Sequence, residues 1–388
     1  MLARSPLPTP ATSPPIDTPD AQEPTLNRTF ARRRTTALAA AWLAGLGLCA
    51  AAHAQTSLPD AVVHAAAVGP TEKQAITAWI DAQKSGLTSA DAAAIRKSRN
   101  ALVAPLRDRA ATPSFRNEYS AQLVAIIRPL ASSKSDESAI NALRIAGDLA
   151  TPASIDVLLA GLKDPRQPVR TMAALSIGGM FSVAAAQPTP SILPSKAFEV
   201  LTALETAFDS EKDPMVLDAL LVALESAFRA PDATLEGVRA RAIETLARAV
   251  GKRVQASTDA QAVRLSIRAT NDLFGPLSDA NKPPASALKE SGGLAGDVVA
   301  MSIRRVELGN LSPAERAELT LAVDQAVRVY FAAHKALGGE PLQLRLGELL
   351  GAGKDQEFKA DAARLIGGEG VLAKPPFGLP ASRFAVKR

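Results

Sequence analysis

Apolar residues recur along the middle of the chain at helical spacing, and the spacing returns in successive segments. Counted from Val169, the positions Ala173, Ala174, Ile177 and Phe181 fall at offsets 4, 5, 8 and 12. Counted from Val216, the same offsets hold Leu220, Leu221, Leu224 and Phe228. Such offsets share one face of a helix of about 3.6 residues per turn. Asp164-Pro165 stands before the first stripe and Asp213-Pro214 before the second. This pair predicts a helix start. The carboxylate accepts a bond from an orphan backbone N–H, and proline in the first turn lacks only a donor that would go unused.

Between these stripes lie two others: Ile155, Leu158, Leu159 and Leu162, then Phe198, Leu201, Leu204 and Phe208. The predicted unit is therefore helix, turn, helix, turn. Leu143-Arg144-Ile145-Ala146-Gly147 and Leu175-Ser176-Ile177-Gly178-Gly179 place successive units 32 residues apart. Residues 182–195 carry three prolines and read as a loop insertion that lengthens the next spacing to 47. Self-similarity at this period predicts a solenoid, in which each unit buries its apolar side against the next. Residues 167–181 are nearly uncharged and rich in Ala and Gly. A helix in the middle of a stack has little solvent face and must let its neighbours come close, which explains so plain a run.

The flanks carry weaker periodicity. Residues 71–130 predict three N-terminal helices, 131–275 the repeat core, and 294–370 further helices. Residues 55–70 read as a linker. Residues 276–293, rich in Pro, Gly, Ser and Lys, read as a loop, and 371–388 as an extended tail. Composition supports helix throughout. Hydrophobic residues make up 47% but aromatics only 4%, whereas strands favour aromatic and β-branched side chains. The expected fold is all-α: a right-handed α-solenoid of stacked helix pairs.

The segment Leu158-Leu159-Ala-Gly-Leu-Lys-Asp164-Pro-Arg-Gln-Pro-Val169-Arg170-Thr-Met-Ala173-Ala174 resembles a HEAT repeat of the short bacterial type. The resemblance covers about residues 135–254. It implies an armadillo-like scaffold that binds proteins, and a ladder in which a turn Asp and the following Arg bond between successive repeats. The matching positions are Asp164 with Arg170 and Asp232 with Arg239; Leu217 breaks the ladder in the unit between.

Charge and address narrow the function. Arg32, Arg33 and Arg34 precede an uncharged apolar run from Ala37 to Ala52, followed by Ala52-His53-Ala54 and Gln55. A basic region, an apolar stretch and an A-x-A site make a secretory signal over 31–54, cleaved between Ala54 and Gln55. As a helix the run would reach only about 24 Å, short of a hydrocarbon core of about 30 Å, so the mature chain is expected to have no membrane span. Cys49 is a poor lipoprotein site because Leu48 before it is not small. Seven prolines before residue 25 make 1–30 a disordered stretch, and the expected translation start lies further on, near Leu26. The expected location is the periplasm of a Gram-negative bacterium.

The chain carries +5 overall. Five of its 44 Lys and Arg and three of its 39 Asp and Glu lie within 1–54, which leaves +3 on the remainder. That is no footprint for nucleic acid. Cys49 is the only cysteine, so the mature chain is expected to hold neither disulfide nor thiolate. His64 and His334 stand far apart with no second ligand at metal spacing, and no Gly-x-Ser-x-Gly occurs. Residues 348–355 fail the phosphate-loop pattern because Glu348 and Asp355 occupy its first and last positions. Glu290-Ser291 matches the catalytic pair of lytic transglycosylases, but the Gly-Leu-Met-Gln that should follow is missing. The expected function is a non-enzymatic scaffold, without cofactor or metal, that binds a protein or peptide partner along the Arg170–Arg239 side. The alternative is a cell-envelope enzyme or peptidoglycan-binding module on an α-superhelix.

Overall fold

The computed structural model describes residues 57–231, 235–340 and 342–385. Within them the chain forms helices joined by short turns, with no strand among the described residues. Before the repeats come α1 (Asp60–Val63), α2 (Pro70–Leu87), α3 (Ala92–Val103) and α4 (Pro113–Ala131). The middle holds α5 (Asp136–Leu149), α6 (Pro152–Gly161), α7 (Gln167–Ala186), α8 (Pro194–Ser210), α9 (Pro214–Phe228), α10 (Val238–Ala256) and α11 (Ala260–Ser278). The last group is α12 (Ala285–Glu307), α13 (Pro313–Ala336), α14 (Leu346–Gly351) and α15 (Asp355–Ile366). Single 3-10 turns span Ala104–Arg107, Val371–Ala373 and Ala381–Phe384.

Helix starts follow from local chemistry. Asp213 accepts bonds from the N–H groups of Met215 and Val216, with Pro214 opening α9. Thr112, Asp259 and Ser312 cap α4, α11 and α13 in the same way. At Ser312 the favour is returned, since Glu315 accepts from the Ser312 N–H at 2.9 Å. Asp164 departs from the expectation. Helix α7 begins at Gln167, and Pro168 rather than Pro165 lies in its first turn. The Asp164 carboxylate turns instead to the Arg166 N–H and guanidinium. The nearby Arg166 is a stronger donor than an orphan amide, and it moves the helix start two residues on.

Helices two apart in sequence pack side by side: α5 on α7, α7 on α9, α8 on α10, α10 on α12, α11 on α13. Neighbours in sequence close each layer, as α9 does with α10 and α12 with α13. This is a helical solenoid, and one continuous apolar core runs through it from Leu58 to Phe384. Helix α7 has the length and apolarity to cross a membrane, yet it is the central plank of the stack, with Val169, Ala173, Ala174, Ile177 and Phe181 all buried. Its closeness to α5 depends on Gly147: a Cβ there would stand 2.6 Å from the Ser176 carbonyl oxygen.

Three segments differ from expectation. Of the expected linker, the described residues 57–70 are anchored, because Leu58, Val62 and Val63 are buried. The loop over 276–293 is short, since α12 already begins at Ala285. Gly292 and Gly293 sit inside that helix because the tail lies against it: a Cβ on Gly292 would meet Phe377 at 2.2 Å, and one on Gly293 would meet Arg383 at 2.6 Å. The described part of the tail, 371–385, is docked rather than extended, with Leu372, Phe377 and Phe384 buried. Tertiary packing outweighs helix propensity at both glycines.

Candidate functional site

Helix α6 has only 10 residues, against 17 in α8. The short helix leaves α6 and α8 barely touching, and a cleft of about 890 Å³ opens between them. Leu159 and Leu162 line it from α6, Ala203 and Ala207 from α8, and Val216 from α9. Thr202 and Thr206 complete the α8 wall, but each hydroxyl already donates to its own helix, at Phe198 and Thr202 oxygens. The wall therefore offers apolar contact more than directed hydrogen bonds.

A charged fork is part of the cleft lining. Arg170 meets Glu211 through Nε to Oε2 at 2.7 Å and Nη2 to Oε1 at 3.2 Å. Its Nη1 also donates to the Asp164 and Pro165 main-chain oxygens. Glu211 accepts in addition from the N–H groups of Lys212 and Asp213, both at 2.9 Å. Burial alone would raise the Glu211 pKa, but Arg170 and the two amides prevail and hold it below the ordinary glutamate value. The Arg170 pKa is raised, first by its bond to Glu211. Lys163 and Lys212 line the cleft as well and have no ion-pair partner among the described residues.

The expected Asp–Arg ladder takes a different form. Arg170 does bridge successive layers, but to Glu211; Asp164 lends it a backbone oxygen, not its carboxylate. The Asp164 carboxylate is held by Arg166, which reaches back to Asp136 at 3.0 Å. Arg239 pairs with Asp279 at 2.8 Å. Asp232, Ala54 and Gln55 lie outside the described residues. Further rungs join Arg248 to Glu205, Lys252 to Asp209 and Arg316 to Asp355. Ion pairs thus join successive layers, but the expected Asp164–Arg170 carboxylate pair is not among them.

The other candidates are absorbed by the fold. His334 is buried against Tyr330 and Phe377, its Nδ1 is 3.2 Å from the Tyr330 hydroxyl, and burial lowers its pKa. His64 Nε2 lies 2.6 Å from the Asp108 carboxylate. Glu290 bonds Arg383 at 3.1 Å, beside the fully buried Asp297. Among the described residues, no three of His, Cys, Asp and Glu converge as a metal would require.

No family model matches this chain. No curated protein matches it either. Among solved structures it is similar to two engineered proteins from the Northeast Structural Genomics Consortium. One is 17% identical, with 64% of this chain and 97% of that one aligned at a TM-score of 0.33. The other is 16% identical, with 79% and 82% aligned at a TM-score of 0.28.

Proposed function

We propose that this chain is an exported, non-enzymatic scaffold of the HEAT type, and that its α6–α8 cleft receives an apolar segment of a protein partner. The observation that carries the reading is the cleft: a mostly apolar trough in the repeat region, open to solvent, whose two threonine hydroxyls are already spent on their own helix. Such a trough selects greasy side chains, whose burial contributes about 25 cal/mol per Å². The lysines at 163 and 212 favour acidic residues flanking that segment. The HEAT-like pattern over 158–179 and the signal-like 31–54 supply the class and the address.

A photoreactive amino acid at Ala203, inside the cleft, tests the binding mode; one at the exposed Leu321 on α13 is the control. The expected result is a discrete crosslinked protein from Ala203 and none from Leu321, lost again when Ala207→Trp fills the trough. Crosslinks that are equal at both positions, or that survive the tryptophan, refute the cleft as the binding face. Mass spectrometry of the envelope fraction tests the address, with Gln55 expected as the first residue.

A further inference from the structure

A second surface differs in chemistry from the apolar trough. Where α3 and the turn Ala104–Arg107 meet α5 and α7, two hollows adjoin, of about 210 and 360 Å³. They share Val103, Arg107 and Asp148 as lining. Arg99 and Arg144 face the larger hollow, Arg109 and Arg116 the smaller.

Five guanidinium groups thus surround two carboxylates. Asp108 is already committed, with one oxygen 2.6 Å from His64 and the other accepting from the Ala110 N–H at 2.8 Å. Asp148 is the remaining counter-charge, and burial raises its pKa. The guanidinium groups of Arg107, Arg109 and Arg144 make no hydrogen bond or ion pair among the described residues. Arg99 is shifted down, by burial first and by Arg144 next. Its guanidinium donates to Asn100 and to Asn141, both neutral, so five cations face two carboxylates and positive charge is in excess.

Two buried donors point the same way. Arg116 is only 5% exposed and spends Nη2 on the Leu106 and Asp108 carbonyls, yet its buried Nη1 has no partner. Gln187 is also 5% exposed. Its Oε1 accepts from the Ser191 N–H, which fixes the amide's orientation, and its buried Nε2 has no partner. Both residues line the smaller hollow. Buried donors are nearly always satisfied in folded proteins, so two orphans beside unpaired arginines call for an acceptor-rich guest.

We infer that these hollows form one anion site, which takes a compact polyanion bearing phosphate or carboxylate groups. One oxyanion meets Arg107, Arg116 and Gln187, and a second meets Arg99 and Arg144. The arginine forks match the planar and tetrahedral oxyanions alike.

Calorimetric titration of the purified chain with pyrophosphate and with citrate tests this, with sodium chloride at equal ionic strength as the blank. The expected result is saturable binding of at least one probe; the preferred probe tells phosphate from carboxylate ligands. In Arg107→Gln/Arg144→Gln the affinity is expected to fall by about tenfold or more, since two charge-assisted contacts are lost. The melting temperature without ligand is expected to change little, because neither guanidinium makes a hydrogen bond or a close ion pair among the described residues. Gln187→Glu keeps the acceptor for Ser191 but places a negative charge on the donor position, and is expected to abolish binding. Binding of neither probe above the chloride blank, or undiminished binding in either variant, overturns the assignment.

Discussion

Arg170 and Glu211 form a two-bonded ion pair between repeat layers, and the pair shows how one residue ties two of them. Neither side chain is more than one-fifth exposed, and the fork uses both carboxylate oxygens. Because the folded state lowers the Glu211 pKa, the unfolded chain takes up a proton more readily there. The pair's stability is thus complete above the ordinary glutamate value of 4.5 and is lost as pH falls through the lowered folded value. Glu211→Gln is expected to cost about 1.5–3 kcal/mol at neutral pH, the usual worth of a hydrogen bond to a charged group. As the pH falls towards 3 the deficit should shrink, because the wild-type carboxylate gains its proton as the pH passes through the lowered folded value. Urea midpoints at neutral pH and near pH 3 check both statements; a deficit independent of pH would contradict the assigned charge state. Arg170 could be picked out beforehand by its place after Val169. Glu211 could not, since it lies 41 residues on in a turn crowded with Asp209, Lys212 and Asp213.

At the scale of the helix, legibility tracked the source of each signal. Stripes such as Val216, Leu220, Leu221, Leu224 and Phe228 repeat the helical period, so α9 and its relatives could be read directly. The start of α12 could not. Its glycines look like loop residues in sequence, while their smallness serves Phe377 and Arg383 from a tail some ninety residues further on. The α6–α8 cleft was equally hidden, because it results from the shortness of α6 and from no motif. Helix α7 gives the sharpest test of the stacking. Ala174 is fully buried in it. Ala174→Asp would carry an unpaired carboxylate into that contact, at a cost of several kcal/mol. Its melting temperature should fall far below that of Leu175→Asp one residue on, where the side chain is 39% exposed. Equal melting temperatures would mean that α7 does not bury this face.

In the whole molecule each layer leans only on its neighbours, so the last layers need an end cap. Residues 371–385 provide it. Phe377 fills the space over Gly292, and Phe384 and Leu372 close over Gly296. Arg383 donates to Asp297 through Nη2 at 2.8 Å and Nε at 3.1 Å, while Gln255 of α10 reaches the same carboxylate at 2.9 Å. Asp297 is fully buried and sits in the middle of α12. Removal of the chain after Gly370 would leave that carboxylate with Gln255 as its hydrogen-bond partner and take away three apolar anchors, Leu372, Phe377 and Phe384. Breaking a buried pair by removing one partner costs about 3–5 kcal/mol. In a quasi-one-dimensional stack that loss should stay local. Hydrogen exchange of the truncated chain is therefore expected to accelerate in α10 and α12, while α5 and α7 keep their protection. Arg383→Met, which retains the tail's apolar anchors, should produce a weaker version of the same gradient. Uniform acceleration along every helix would show instead that the solenoid unfolds as one cooperative block, and that the continuous core couples its two ends more strongly than nearest-neighbour packing allows.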